Sequence, residues 1–366
     1  MKKIKDYLKR LFIDGLSGMA TGLFATLIIG TIIAQIGSYI PGYIGSVIVL
    51  AGKIAQLLMG AGIGAGVAIK LKQSPLVTIS AAVCGTVGAF AAQIIDNTDG
   101  IMNGAFATLR IPGEPLGAFI AAYVGIEIGR LVSGKTKIDI ILTPLVAITA
   151  GSTVGLLVGK PVSVFMGWLG DIINWAAVQH PFVMGIVISV LMGMFLTMPI
   201  SSAAIGVSLG LKGIAAGAAT VGCCANMIGF AVISYRENKV GGLISQGIGT
   251  SMLQMPNIIR KPVIWIPAIL TSAILGPVST LLLKMYGNPI GSGMGTSGLV
   301  GPIQSFMTMI NEETMLGFGV KAEEPWLVII KILVMYVILP AAISLGISEA
   351  MRKLKWIKPG DLSLNV

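Results

Sequence analysis

"GNPIGSGMGTSGLVGP", Gly287 to Pro302, holds six glycines and two prolines in sixteen residues, and the run without charge continues to Asn311. In a helix interior a glycine costs roughly 1 kcal/mol relative to alanine, and a proline about 3. The stretch is therefore no ordinary helix, yet it stands in a very apolar chain. Three readings compete: a phosphate-cradling loop, a surface linker, or backbone left irregular inside a membrane.

The surrounding composition narrows them. The chain has 366 residues, 55% hydrophobic and only 11% charged, with a mean hydropathy of +0.90. A soluble domain carries about 25% charged residues. Charge is missing over 15–52, 73–95, 140–159, 181–211, 213–235, 240–259, 262–283, 285–311 and 332–348. A bilayer core takes about 20 apolar residues of helix, and most of these runs reach that length. The expectation is an all-α polytopic membrane protein with about nine or ten transmembrane helices.

The net charge of +10 does not point to nucleic acid, because no basic face belongs to a soluble fold. Its lysines and arginines cluster in short gaps: Lys2, Lys3, Lys5, Lys9 and Arg10; Lys70 and Lys72; Arg130, Lys135 and Lys137; Arg352, Lys353, Lys355 and Lys358. Such loops sit on the cytoplasmic side. Cys84, Cys223 and Cys224 lie inside apolar runs with no metal or disulfide spacing, and neither metal nor cofactor is expected. The first apolar run is too long for a cleaved leader.

The opening "MKKIKDYLKRLF" reads as a basic helix on the anionic membrane surface, in contact with lipid. Five spans follow at 15–36, 44–69, 74–95, 115–133 and 139–159, forming a first bundle over 1–159. With a cytoplasmic N-terminus, the basic gaps at 70–73 and 130–138 fall inside. Residues 160–180 place Phe165, Trp168, Ile172 and Trp175 on one helical stripe, the pattern of an interfacial amphipathic helix. A second bundle, 181–366, completes one transmembrane domain. Its expected spans are 181–211, 213–235, 262–284 and 326–348, with re-entrant segments at 240–259 and 287–311.

Against that frame the nucleotide reading of the opening stretch fails. Gly293, Gly295 and Gly298 spell GxGxxG, but no strand precedes them and no βαβ unit surrounds them. A linker would carry charge. Irregular backbone at membrane depth is tolerated where it is buried in protein or lines a polar cavity, and broken helices of this kind build transport sites. Asn288, Thr296 and Ser297 supply side-chain partners there. The earlier segment "GGLISQGIGTSMLQMPNIIRKP" adds Gln254 and Asn257, among other amides and hydroxyls, and Pro256 as its break. Uncharged groups that donate and accept suit a neutral sugar or polyol. Weaker candidates are Thr197 and Ser201 in "LTMPISSAAIG", Asn226 after the paired cysteines, and Glu114 in "RIPGEPLG". Lys53 lies inside a span, Glu127 and Lys331 near span ends, and His180 beside Pro181. No arrangement supports hydrolytic chemistry, and no catalytic residue is expected.

"GIGTSMLQMPNIIRKPVIWIPAILTSAILGP" (247–277) followed by "NPIGSGMGTSGLVGP" (288–302) resembles the IIC-type membrane component of the phosphotransferase system. The nearest branch includes proteins described as IIC-like or as toxin regulators of the perfringolysin O regulator type. The resemblance spans nearly the whole chain. It implies a bacterial inner-membrane, homodimeric permease that carries sugar inward, with phosphate reaching it from phosphoenolpyruvate through stand-alone IIA and IIB proteins. Two features depart from better-known members, which use a Gly-Ile-Thr-Glu type motif and a histidine. The nearest string here is Gly346-Ile347-Ser348-Glu349, at the far end of the last span, and His180 stands outside any polar membrane motif. Two alternatives stay open: a carrier that works without phosphorylation, and a membrane sensor that regulates gene expression through a partner.

Overall fold

A computed structural model describes Tyr7, residues 10–96 and residues 113–364. Helices dominate, and among the described residues the sole β-type pairing is an isolated bridge between Gly213 and Gly287. The expected basic surface helix lies largely outside the described residues. Prolines mark the punctuation: Pro75, Pro115, Pro181, Pro262, Pro289 and Pro325 each open a helix. There the missing N–H has no partner to lose and φ is already set. Chain contacts divide the protein into two compact units, Met1–Gly167 and Trp168–Asn365.

The first unit contains α1 (Arg10–Ser38), the pair α2 (Gly42–Leu57) and α3 (Met59–Lys70), α4 (Pro75–Asp96), α5 (Pro115–Val132) and the first part of α6 (Asp139–Ala177). α2 and α3 meet at a 51° bend. Their packing rests on small residues, since helices in lipid gain from close approach of their backbones. A Cβ at Gly22 would strike the Gly62 backbone, one at Gly60 that of Gly85, and one at Gly88 that of Gly117. Glu127 of α5 receives Arg10 at 2.9 Å and Arg130 at 2.7 Å, so it is paired rather than extended toward an interface. Lys53 is exposed on α2. The stripe expected to form a separate interfacial helix at 160–180 is continuous with the preceding span. Pro161 is accommodated inside the 39-residue α6, and no helix end intervenes.

The second unit is organised around α9 (Gly213–Ile233). Of its most apolar window, 89% is buried, which marks it as the central element. Its 21 residues span about 31 Å, close to a bilayer's hydrocarbon thickness of about 30 Å. Around it stand α7 (Pro181–Thr197), α8 (Ser202–Ser208), α10 (Tyr235–Ile244), α11 (Met255–Arg260), α12 (Pro262–Leu282), α13 (Pro289–Ser292), α14 (Val300–Ile310), α15 (Glu312–Gly317) and α16 (Pro325–Lys353).

Among the described residues seven helices are long and apolar enough to cross a membrane, and the bent α2/α3 pair, taken as one span, makes eight. The count falls short of nine or ten because 181–211 is not one span. α7 stops at Thr197, and the chain turns through Met198–Ser201. α8 then runs back along α13, with Ser202 Oγ on the Gly293 carbonyl at 2.7 Å. Pro199 removes the N–H that would continue α7.

Candidate functional site

The depth of each broken segment can be read against α9. The 287–310 segment starts beside the α9 N-terminus, where Gly213 and Gly287 exchange backbone hydrogen bonds of 3.0 and 3.1 Å. It descends past Thr220, whose hydroxyl donates to the Gly291 carbonyl at 3.4 Å, and reaches Met227, whose sulfur receives the Thr296 hydroxyl at 3.5 Å. There it reverses. Gly295, Gly298 and Leu299 all have positive φ (51°, 55° and 59°), so the turn uses glycine where two of three left-handed positions demand it. α14 then climbs back until Met309 joins Val221, Met285 and Tyr286 in one apolar cluster. Phe318 beyond it stacks on Tyr286 at 5.7 Å. The segment enters and leaves on the Gly213 side, forming a hairpin beside α9.

The 235–260 segment does the reverse, from the Ile233 side. Gln246 reaches back to the Ser234 hydroxyl at 2.8 Å, the tip at Gly247–Ser251 lies level with Asn226, and Ile258 returns to pack with Ile233. Together with the α7–α8 hairpin, three broken segments send their tips toward the deep half of α9.

Each tip is bonded to the other two. Thr197 and Ser251 hydroxyls lie 2.8 Å apart, Ser202 donates to the Gly293 carbonyl, and the Thr296 hydroxyl donates to the Gly247 carbonyl. Behind them Asn226 acts as a hub. Its carbonyl oxygen accepts from Trp265 Nε1 at 3.0 Å and from Thr197 at 3.2 Å, while its amide donates to Ser272 Oγ at 3.1 Å and the Gly222 carbonyl at 3.2 Å. Ser189 extends the chain, donating to the Ser272 carbonyl at 2.7 Å. All these hydroxyls and the Asn226 amide are buried. A buried polar group is tolerated when bonded, and Ser297 is the exception at the tips: its hydroxyl is buried with no partner among the described residues. Hydroxyls, amides and main-chain carbonyls make up this junction.

The residues singled out by sequence occupy several places rather than one. Thr296 and Ser297 are at the junction. Gln254 and Asn257 lie on the returning arm of the second hairpin, farther toward the Ile233 end. Gln254 Nε2 donates to Gln246 Oε1 and to the Leu362 carbonyl, both at 2.9 Å, and Asn257 Nδ2 to Gln254 Oε1 at 2.8 Å and the Ser363 carbonyl at 2.9 Å. Asn288 stands at the entrance of the third hairpin, capping α13 through Gly291 N at 3.0 Å and holding Gln304 at 2.8 Å. Thr197 and Asn226 belong to the hub, and Ser201 is buried in the break between α7 and α8. Glu114 belongs to the first unit, where it caps α5 by accepting from Leu116 N at 3.3 Å while its own N–H donates to Ala89. His180 caps α7 through Nδ1, and Lys331 pairs with Glu323 at 2.6 Å. Trp265, Ser272 and Ser189 escaped the sequence reading. A tryptophan three residues after a span-opening proline looks like an interface anchor, and serines in apolar helices look like packing residues.

Apolar helices of crossing length around opposed hairpins with uncharged tips define a polytopic membrane protein with the broken-helix construction of transporters. Residues 13–364 match the family described as Phosphotransferase system, EIIC. The chain belongs to that family and is a membrane component of the phosphotransferase system. None of the curated proteins compared with it matches.

Proposed function

We propose that this chain is the IIC permease of a phosphoenolpyruvate-dependent sugar phosphotransferase system, carrying a neutral polyhydroxylated solute inward across a bacterial cell membrane. The observation that carries this reading is the junction of three hairpin tips, bonded pairwise through hydroxyls and carbonyls around the orphaned Ser297 hydroxyl. Each sugar hydroxyl both donates and accepts, so a solute can replace these contacts one for one as the tips part. Ser297 and Thr296 hold it at the junction, and Gln254 and Asn257 meet it farther along the second hairpin. Asn288 would contact it only at the entrance.

Sidedness follows from charge. Arg236, Lys239, Arg260, Lys261, Arg352, Lys353, Lys355 and Lys358 crowd the Ile233 end against Glu237, Glu349 and Asp361. The Gly213 end has Lys212, Lys284 and Lys321 against Glu312, Glu313, Glu323 and Glu324. The basic end faces the cytoplasm. Five crossings before α7 and three after it form an even number, which leaves the N-terminus cytoplasmic as well. Separate IIA and IIB proteins work at that face, and a second copy of the chain completes a homodimer in the lipid.

Uptake of labelled hexoses and hexitols into vesicles, with and without phosphoenolpyruvate and the soluble phosphotransferase proteins, tests the reading. Phosphorylated solute is expected inside only with the complete set. Uptake that ignores phosphoenolpyruvate would make the chain a phosphorylation-independent carrier. Thr296→Val and Asn257→Ala are each expected to lower uptake about tenfold, the equivalent of about 1.4 kcal/mol, at unchanged membrane expression. Normal transport in both removes the site assignment.

A further inference from the structure

At the Ile233 end, residues beyond α16 bond to two of the candidate site residues, Gln254 and Asn257. After α16 the chain reverses at Lys355 (φ +60°) and again at Gly360 (φ +89°), laying residues 354–364 over the second hairpin. Two side chains anchor it: Ile357 and Leu362 are buried with Phe230, Ile233, Ile258, Ile264 and Met351. The remainder is largely open, with Leu354, Lys355, Trp356 and Lys358 exposed.

Its polar ties grip both arms of the hairpin. From the entering arm, Asn238 Nδ2 donates to the Leu362 carbonyl at 2.8 Å, and Asn238 Oδ1 accepts from Leu364 N at 2.8 Å. From the returning arm come Gln254 to Leu362 and Asn257 to Ser363. Lys261 pairs with Asp361 at 2.6 Å. The acceptors offered to Gln254 and Asn257 are plain carbonyl oxygens, for which a solute oxygen is a chemical equivalent.

We propose that residues 354–364 form a removable strap that fills the amide donors of Gln254 and Asn257 and ties the two arms of the second hairpin together, so that the site is autoinhibited until the strap lifts. This rests on the permease reading and adds the regulation of the same site. The strap competes with solute for the two amides, and hairpin movement requires it to leave.

Two experiments on the full chain in lipid nanodiscs and vesicles decide this. Cys84, Cys223 and Cys224 are buried, so Leu362→Cys introduces a thiol that a water-soluble maleimide reaches when the strap lifts. Adding Asp361→Asn to Leu362→Cys is expected to speed labelling about tenfold with the thermal midpoint of the whole protein little changed; equal labelling rates overturn the strap. Separately, Lys261→Cys with Asp361→Cys is bridged by a short bifunctional methanethiosulfonate. Hexose and hexitol uptake is expected to stop when the bridge forms and to return on reduction, and uptake undisturbed by the bridge overturns the proposal. Vesicles of the unmodified protein that take up none of these probes count against the permease reading, while the labelling arm still decides the strap.

Discussion

Replacing Asn226 by leucine keeps its approximate volume and removes its four hydrogen bonds. The consequences differ between partners. Thr197 keeps the Gly193 carbonyl at 3.1 Å and Ser251 at 2.8 Å. Ser272 keeps the Ala268 carbonyl at 2.9 Å and that of Gly222 at 3.3 Å. Trp265 Nε1 loses the one acceptor it has among the described residues. Trp265 is only half-buried, so its orphaned donor costs less than the about 1–3 kcal/mol of a fully buried one, while the interhelical bonds lost average about 0.6 kcal/mol each in membranes. Asn226→Leu should therefore destabilise by about 2–4 kcal/mol. Trp265→Phe removes the donor together with its need for an acceptor. The double variant should thus be more stable than the sum of the singles by about 1–2 kcal/mol, inside the range of about 0.5–3 kcal/mol found for residues in one network. Reversible unfolding in mixed micelles, followed by far-ultraviolet circular dichroism through a detergent titration, measures all four corners of the cycle. Additivity within about 0.5 kcal/mol would refute the hub.

Gly222 packs against the Ser189 backbone, which a Cβ would strike; Gly222→Leu is expected to cost about 1–3 kcal/mol or more through overpacking, visible as a lower unfolding midpoint and poorer recovery from membranes. The strap should respond to acid. Burial pushes the Asp361 carboxyl up, but the hydrogen bonds and charges of Lys261 and Lys358 outweigh it and hold the carboxyl below its ordinary value. A depressed carboxyl stabilises above its unfolded pKa, about 3.9, and that contribution fades as pH falls through the folded value. Hydrogen-exchange protection of residues 354–364, corrected for intrinsic rates, should stay level from neutral pH down to about 5 and drop below about pH 4; protection that is flat throughout contradicts the role given to Asp361.

Much of the first unit was legible because charged gaps such as Lys70–Lys72 and Arg130–Lys137 punctuate its apolar runs. The glycine-rich blocks around 247 and 293 also announced broken backbone, since neither could form a cheap helix. The break within 181–211 showed in Thr197, Pro199, Ser201 and Ser202, but a kink and a reversal read alike, because apolar residues fill both arms and hydropathy carries no sign of direction. The separate helix at 160–180 was overcalled for a related reason: a tryptophan stripe describes a helical face but says nothing of where the helix began. That Gln254 and Asn257 stand apart from Thr296, farther along the second hairpin, could not be read from sequence. Two of their partners, Leu362 and Ser363, are more than a hundred residues away in the chain.

The central helix α9 also constrains how the chain can change over time. Main-chain atoms of its neighbours press on it at Gly217 and Gly222, and Ser344 presses at Gly229, while Asn226 aims at a fixed set of partners. One inserted residue would swing everything after it by about 100° around the axis, pointing each of those positions at the wrong neighbour at once. The register of this rod therefore has to be inherited whole.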